Sequence, residues 1–238
     1  SQKFDRERKE KTVMKYKIDG ESLPVVKVQL EAGEKITCEA GAMSWMDNEI
    51  EMQTEAGGIG KMFGRMFTSE SAFLNHYTAK SGGEIAFASK FPGSIRAVEI
   101  SPGNDIIVQK GCFLAYFGDI EQTVFFQKKV KTGFFGGEGF LMHRYSGTGV
   151  VFLEIDGSAH EYQIPAGDVK IVDTGYVAML DASCQMEAQT VKGVKNVLLG
   201  GEGLFNTVVH GPGRVILQSM PVSQTALMLY EFMPHPSN

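Results

Sequence analysis

Gly33, Gly103 and Gly167 are each followed eight residues later by another glycine: Gly41, Gly111 and Gly175. That spacing constrains the fold of this chain more than any other feature. The position five after each first glycine is apolar: Cys38, Val108 and Val172. A second set recurs downstream. Met66-Phe67-Thr68-Ser69-Glu70, Phe134-Phe135-Gly136-Gly137-Glu138 and Leu198-Leu199-Gly200-Gly201-Glu202 each run two bulky apolar residues, two small ones and a glutamate. Gly93-Ser94, Ile100 and Gly103 match Gly157-Ser158, Ile164 and Gly167 at a constant offset of 64. The chain therefore reads as one unit of about 65 residues written three times, and a fixed period decides architecture before local propensity does. The units fall at residues 16–92, 93–156 and 157–220. The first is longer, and its surplus around residues 55–65 and 80–90 is expected in loops. Residues 1–15 read as a flexible leader, 16–230 as a single domain and 231–238 as a tail.

Within the units, strand signals dominate. Val25–Leu30 and Ile36-Thr37-Cys38 alternate, and Val98-Glu99-Ile100, Ile106-Ile107-Val108, Val150–Leu153 and Val215-Ile216-Leu217 are short β-branched runs. Turn chemistry bounds them at Ala32-Gly33, Pro102-Gly103, Ala166-Gly167 and Gly211-Pro212-Gly213. Glycine is abundant, 28 of 238 residues, which is roughly 12% against a usual ~7% and suits many tight turns. No window carries a long stripe of period 3.6. Residues 69–77 have some helical character, but the equivalent pieces carry Gly139 and Gly203, which argue for strand or loop. Leu227-Met228-Leu229-Tyr230 reads as a last strand. Trp45 occupies the place of Ala115 and Met179 and reads as core. The expectation is an all-β protein of three repeats. One such unit buries its apolar face poorly, so three should stack, and leftover strand edges should be covered by another subunit.

Several function classes are disfavoured. The net charge is −5 and the basic residues are scattered, which argues against a nucleic-acid partner. No apolar run is long enough for a transmembrane helix. The first residues lack an apolar segment of signal-peptide type and carry Asp5, Glu7 and Glu10. Three cysteines, Cys38, Cys112 and Cys184, stand at different places in the repeat without CxxC spacing. They read as buried reduced thiols in a cytoplasmic, bacterial protein. His76, His143, His160, His210 and His235 form no HxH or HExxH pair, so neither a metal nor a cofactor is expected. His76, His143 and His210 follow the aligned glutamates by six, five and eight residues, which would gather a His/Glu cluster if those strands came together. No G-x-S-x-G elbow or phosphate loop occurs. Glu49 and Glu51 share one face of a strand without the marks of an acid–base pair. No catalytic residue is assigned, and the chain reads as non-enzymatic.

Two groups of residues are candidates for contact with something else. Glu70, Glu138 and Glu202 either present a carboxylate to a ligand or cap a turn. Met62, Phe63, Met66, Phe67, Phe134, Phe135, Leu198 and Leu199 lie in glycine- and lysine-bearing segments. Such residues either plug the body and its subunit seams or dip into a membrane interface or partner groove. Residues 57–67 form the longest of these segments.

The paired glycines, Ser69–Asn75, and Gly200–Phe205 followed by His210-Gly211-Pro212-Gly213-Arg214-Val215 together resemble the altered-inheritance-of-mitochondria family, over residues 14–220. Many bacterial members of that family have unknown function, and mitochondrial relatives are linked to organisation of the inner membrane. The resemblance implies a fold like the tryptophan RNA-binding attenuation protein: short double-stranded β-helix units, three per chain, in a homotrimer of ninefold-like pseudo-symmetry. It supplies no catalytic residues, and the namesake's ligands do not transfer with the fold. The expected function is an oligomeric scaffold or binding protein with room for peripheral membrane contact. The alternative is a small-molecule or nucleotide-binding module at repeat junctions.

Overall fold

The computed structural model describes residues 15–53, 74–128, 140–190, 205–230 and 232–233. In chain order its strands are β1 (Lys15–Asp19), β2 (Val25–Leu30), β3 (Lys35–Glu39), β4 (Met43–Met46), β5 (Ile50–Gln53), β6 (Leu74–Ala79), β7 (Gly83–Ala88), β8 (Gly93–Ile100) and β9 (Ile106–Gln109). Next come β10 (Phe113–Lys128), β11 (Phe140–Asp156), β12 (Ala159–Ile164), β13 (Val169–Asp173), β14 (Val177–Asp181), β15 (Gln185–Thr190), β16 (Phe205–His210) and β17 (Gly213–Gln218). One helix, α1 (Val222–Tyr230), closes the described chain. Among the described residues the protein is all-β apart from α1 and short 3-10 turns at Lys110–Cys112 and Thr174–Tyr176.

The glycines explain how the strands begin. Gly33, Gly103 and Gly167 have φ of 84, 85 and 89°. Just after them, the N–H groups of Glu34, Asn104 and Asp168 donate to the carbonyls of Glu31, Ser101 and Pro165 at 3.0, 2.8 and 3.1 Å. A turn with positive φ at its third residue wants glycine there, as in type II turns. Strands β3, β9 and β13 leave these turns, and Cys38, Val108 and Val172 are buried in them. The partner glycines are less alike: Gly41 also has positive φ, whereas Gly111 and Gly175 sit in the 3-10 turns.

All strand pairs among the described residues are antiparallel. β2–β7, β8–β11 and β12–β17 pair along six to eight residues. β4 lies on β7 with a register shift between Met43 and Trp45. β10 lies on β11 with shifts between Phe113 and Ala115 and between Val124 and Phe126, and β14 on β17 with one between Val177 and Met179. A bulge at these points bends the strand and sharpens its twist. β3, β9 and β13 in turn pair with β6, β11 and β16. The pairs assemble into sheets of four, ten and three strands, ordered β1-β2-β7-β4, β12-β17-β14-β9-β11-β10-β3-β6-β5 with β8 on β11, and β13-β16-β15. Strands β10 and β11 are long enough, 16 and 17 residues, to run through the whole middle of the large sheet.

Three apolar clusters form the core of the described residues. One gathers Val26, Val28, Ile36, Phe87, Leu114 and Phe152. The second holds Val108, Phe113, Tyr145, Val151 and Met179, with the Phe113 and Tyr145 rings stacked at 5.2 Å. The third holds Ile107, Phe140, Met142, Leu180, Val209 and Val215. The fully buried strand residues are mostly β-branched or aromatic, the side chains that fill a pleated, two-sided layer.

Three local expectations are corrected. Residues 222–230, whose last part reads as strand by its apolar run, form α1. A continuous apolar run does not distinguish helix from strand, and here Asp156 Oδ2 accepts the Val222 N–H at 2.8 Å, holding the helix start. Residues 80–90 are not all loop, because β7 occupies most of them and pairs on both edges. Trp45 is not core: it stands on β4 and is 46% exposed.

Candidate functional site

Glu70, Glu138 and Glu202 lie outside the described residues, as do Met62, Phe63, Met66, Phe67, Phe134, Phe135, Leu198 and Leu199. What the structure does bring together is a different set, made by strand edges and by the C-terminal helix.

β4 and β13 each have one partner strand among the described residues, β7 and β16 respectively, and close their sheets as edges. Both edges carry apolar side chains in the open. On β4, Trp45 and Met46 are exposed; on β13, Val169 is 50% and Ile171 62% exposed. An edge presents unpaired N–H and C=O groups along one side, and natural edges are usually charged, short or bulged. β4 is short and bulged, yet Trp45 and Met46 follow the bulge instead of a charge. The third apolar surface is α1 together with the residues just past its end. Val222, Met228, Leu229 and Tyr230 are exposed, none of the helix is buried, and Phe232 is 83% exposed.

A polar cleft of about 240 Å³ opens beside Gly103, Asn104, Asp105, Arg144, Asp181, Ala182 and Ser183. It lies where β14 meets β9. Its charges are already engaged. Arg144 donates through Nε and Nη2 to Asp105 Oδ2 at 3.0 and 2.6 Å. Asp181 Oδ2 accepts the Arg214 N–H at 2.9 Å, and Arg214 Nη2 reaches Asp181 Oδ1 at 3.3 Å.

Two inward carboxylates have raised pKa values because burial disfavours their charged form. Glu154 is opposed in this by the Lys90 N–H, which it accepts at 2.8 Å, and by Lys90's charge. Asp156 is opposed by the Val222 N–H. Glu154 is held by the Lys90 N–H and the Ser89 hydroxyl of a loop and Asp156 by the N–H of a helix start, so both work as structural clamps. The Cys38 thiol is pushed up to about 12 by burial, and Cys112 and Cys184 are raised for the same reason. All three cysteines are unpaired and buried, as their spacing predicts.

The described histidines sit on four different strands, β6, β11, β12 and β16. His76 Nδ1 meets Thr37 Oγ1 at 2.8 Å, His210 Nε2 lies 3.4 Å from Glu187 Oε1, and His143 is buried in β11. Among the described residues no three His, Cys, Asp or Glu side chains gather as metal ligands. Glu51 pairs with Lys80, and Glu49 accepts from Ser81 Oγ at 3.1 Å; both are surface contacts. No described helix is long and apolar enough to cross a membrane. The exposed edges escaped sequence reasoning, because Ile171 and Trp45 look like ordinary strand residues. Only the strand pairing itself tells which strands lack a second neighbour.

Comparison with known proteins agrees with this topology. The sequence profile of a family described as "Mitochondrial biogenesis AIM24" matches residues 16–220. An uncharacterised protein of Streptococcus pyogenes serotype M6 is 26% identical over 234 residues, covering 94% of this chain and 93% of its own length. A crystal structure of a Streptococcus pyogenes protein from a structural-genomics programme superposes with a TM-score of 0.78 at 23% identity. It covers 93% of this chain and 100% of its own.

Proposed function

Because the chain belongs to the mitochondrial biogenesis AIM24 family, whose description assigns no reaction, we propose that it is a non-enzymatic scaffold or binding protein that assembles with further copies of itself. One observation carries this reading. The large apolar side chains left exposed on strands include Trp45 and Met46 on β4 and Val169 and Ile171 on β13, both open sheet edges. Open apolar edges on a stable protein mark a surface that another chain covers.

The proposal has an architectural part. The chain is built from three copies of one β unit of the short double-stranded β-helix kind, and three chains close into a homotrimer. Three like glycine turns and three like-placed bulges support it. The residues just past these three, on β4, β10 and β14, are Trp45, Ala115 and Met179, the trio that the glycine spacing aligns; β10 carries a further shift between Val124 and Phe126. Peripheral contact with a membrane or a protein partner is a further part. It rests on Met62, Phe63, Met66 and Phe67 in the sequence and on the exposed Met228, Leu229 and Phe232. Light scattering at micromolar concentration tests the assembly: a stable oligomer is expected, and a monomer refutes it.

A second reading is favoured by one feature, the cleft at Arg144. A small ligand held where β14 meets β9 would fit the idea of a binding module at repeat junctions. The cleft is below the roughly 300–1,000 Å³ of ordinary ligand pockets, and its charged groups are already engaged, Arg144 with Asp105 and Asp181 with Arg214. The scaffold reading is therefore preferred.

A further inference from the structure

We propose that β13 of one chain pairs antiparallel with β4 of a second copy of this chain, in the register Trp45 opposite Val172, Met46 opposite Ile171 and Asp47 opposite Lys170. The inference rests on the self-assembly reading above and names the contact that makes the assembly.

The order of strands in the sheets points to this pairing. Inside the large sheet, one run of six strands is β8-β11-β10-β3-β6-β5 and another is β12-β17-β14-β9-β11-β10. The second half of β11 and the first half of β10 serve the first run; their other halves serve the second. Each run joins an outer triplet (β8-β11-β10 or β12-β17-β14) to a triplet from earlier in the chain (β3-β6-β5 or β9-β11-β10). Among the described residues, two triplets are left without a mate. One is β2-β7-β4, within the four-stranded sheet, and the other is β13-β16-β15. They are the two halves of the same six-stranded sheet, at opposite ends of the sequence. Their open edges are β4 and β13, the two strands that would meet.

The internal joins fix the register. At one, Ala115 faces Cys38, Tyr116 faces Thr37 and Phe117 faces Ile36. At the other, Met179 faces Val108, Leu180 faces Ile107 and Asp181 faces Ile106. In both, the join starts at the residue just past the bulge, which on β4 is Trp45. On the facing strand it starts five residues past the turn glycine, which on β13 is Val172. Ala115, Met179, Leu180, Cys38, Ile107 and Val108 are all fully buried. The matching Trp45, Met46 and Ile171 are exposed, as expected for the same layer with one side missing. Asp47 and Lys170 would also bring opposite charges across the seam. The contact uses two different edges of the same protein, so it is head-to-tail and closes as a ring when the rotation permits.

Paired cysteines test it in the full chain. Antiparallel partners have Cα atoms about 4.5–5.5 Å apart, within the ~4.4–6.8 Å that a disulfide spans. Trp45→Cys with Val172→Cys, and Met46→Cys with Ile171→Cys, bracket the closer and the wider kind of pair. Under mild oxidation at least one double variant should give covalent multimers that stop at the size light scattering gives for the native assembly. A mixture of its two single variants should stop at a dimer, and each single variant alone should give none. The three native cysteines are buried and serve as background. An intact oligomer without cross-links in either pair overturns the seam and leaves self-assembly standing. Cross-linking by one single variant alone, or a cross-linked monomer, overturns it too, by showing a two-fold contact or closure within one chain. A native monomer overturns both proposals. Ile171→Lys gives a second readout at a site that is mostly exposed in the single chain. It should raise the dissociation constant at least about tenfold, since it places an unpaired charge in the seam, without altering the circular dichroism of the diluted chain. Unchanged association refutes the seam.

Discussion

Ile107 and Ile171 are the same residue type at matching places, each four residues past its turn glycine, and their expected costs on truncation differ sharply. Ile107 on β9 is fully buried between Arg144 of β11 and Leu180 of β14. Ile107→Ala should cost about 2–5 kcal/mol, the usual range for emptying a packed core site. Ile171 on β13 is 62% exposed. Complete burial of such a side chain is worth about 1.5–3 kcal/mol. Only about four-tenths of that is realised in the single chain, so Ile171→Ala should cost about 0.6–1.1 kcal/mol there. In an assembly that covers β13, the remainder returns, and the loss grows with protein concentration. Urea unfolding of both variants across a concentration series, with light scattering at each step, reads this directly. Ile107→Ala should shift the midpoint by the same large amount throughout. Ile171→Ala should shift it little when dilute and more when assembled. Equal losses for the two variants in a demonstrably monomeric sample would refute the reasoning, because Ile171 would then be buried within its own chain.

Three further outcomes are expected. Gly93→Ala should destabilise by more than about 4 kcal/mol, because a Cβ there would overlap the Ile155 carbonyl oxygen; Gly33→Ala, at positive φ with open space around it, should cost only about 1–2 kcal/mol, and thermal melts compare them. Glu154 has a folded pKa raised by burial, so the folded state binds its proton more tightly; its contribution to stability is fully present below the ordinary value of 4.5 and is lost as pH rises through the raised one. Glu154→Gln, which keeps an acceptor for the Lys90 N–H, should flatten that part of the stability–pH curve, and an unchanged slope would remove Glu154 as its source. The three buried thiols should resist a thiol reagent in the native protein and react fully in guanidinium, since burial suppresses the thiolate that reacts; rapid native labelling would contradict the packing around Cys38.

The legibility of the sequence followed locality. Gly33, Gly103 and Gly167 announce their turns because the backbone requirement, positive φ, sits in the residue itself. The β-branched runs announce strands for the same reason, as at Ile106-Ile107-Val108 and Val215-Ile216-Leu217. The family could be read from such features, since paired glycines at a fixed spacing are local patterns repeated. The unpaired state of the three cysteines followed from their spacing. The candidate contact residues did not become geometry: Glu70, Glu138, Glu202 and the apolar pairs Met62–Phe63, Met66–Phe67, Phe134–Phe135 and Leu198–Leu199 fall outside the described residues.

Tertiary structure alone decided the rest. Residues 227–230 carry an apolar run that suits strand or helix equally, and the Asp156 carboxylate, some seventy residues earlier, helps hold them as α1. Trp45 has a side chain typical of a core, and it is exposed because β4 has one neighbour among the described residues where β10 and β14 have two. Ile107 and Ile171 differ by the same cause. A residue's own chemistry sets the turn or strand it prefers, whereas its burial depends on which strand arrives beside it. That is a property of long-range pairing, which the sequence encodes only through the whole set of contacts at once.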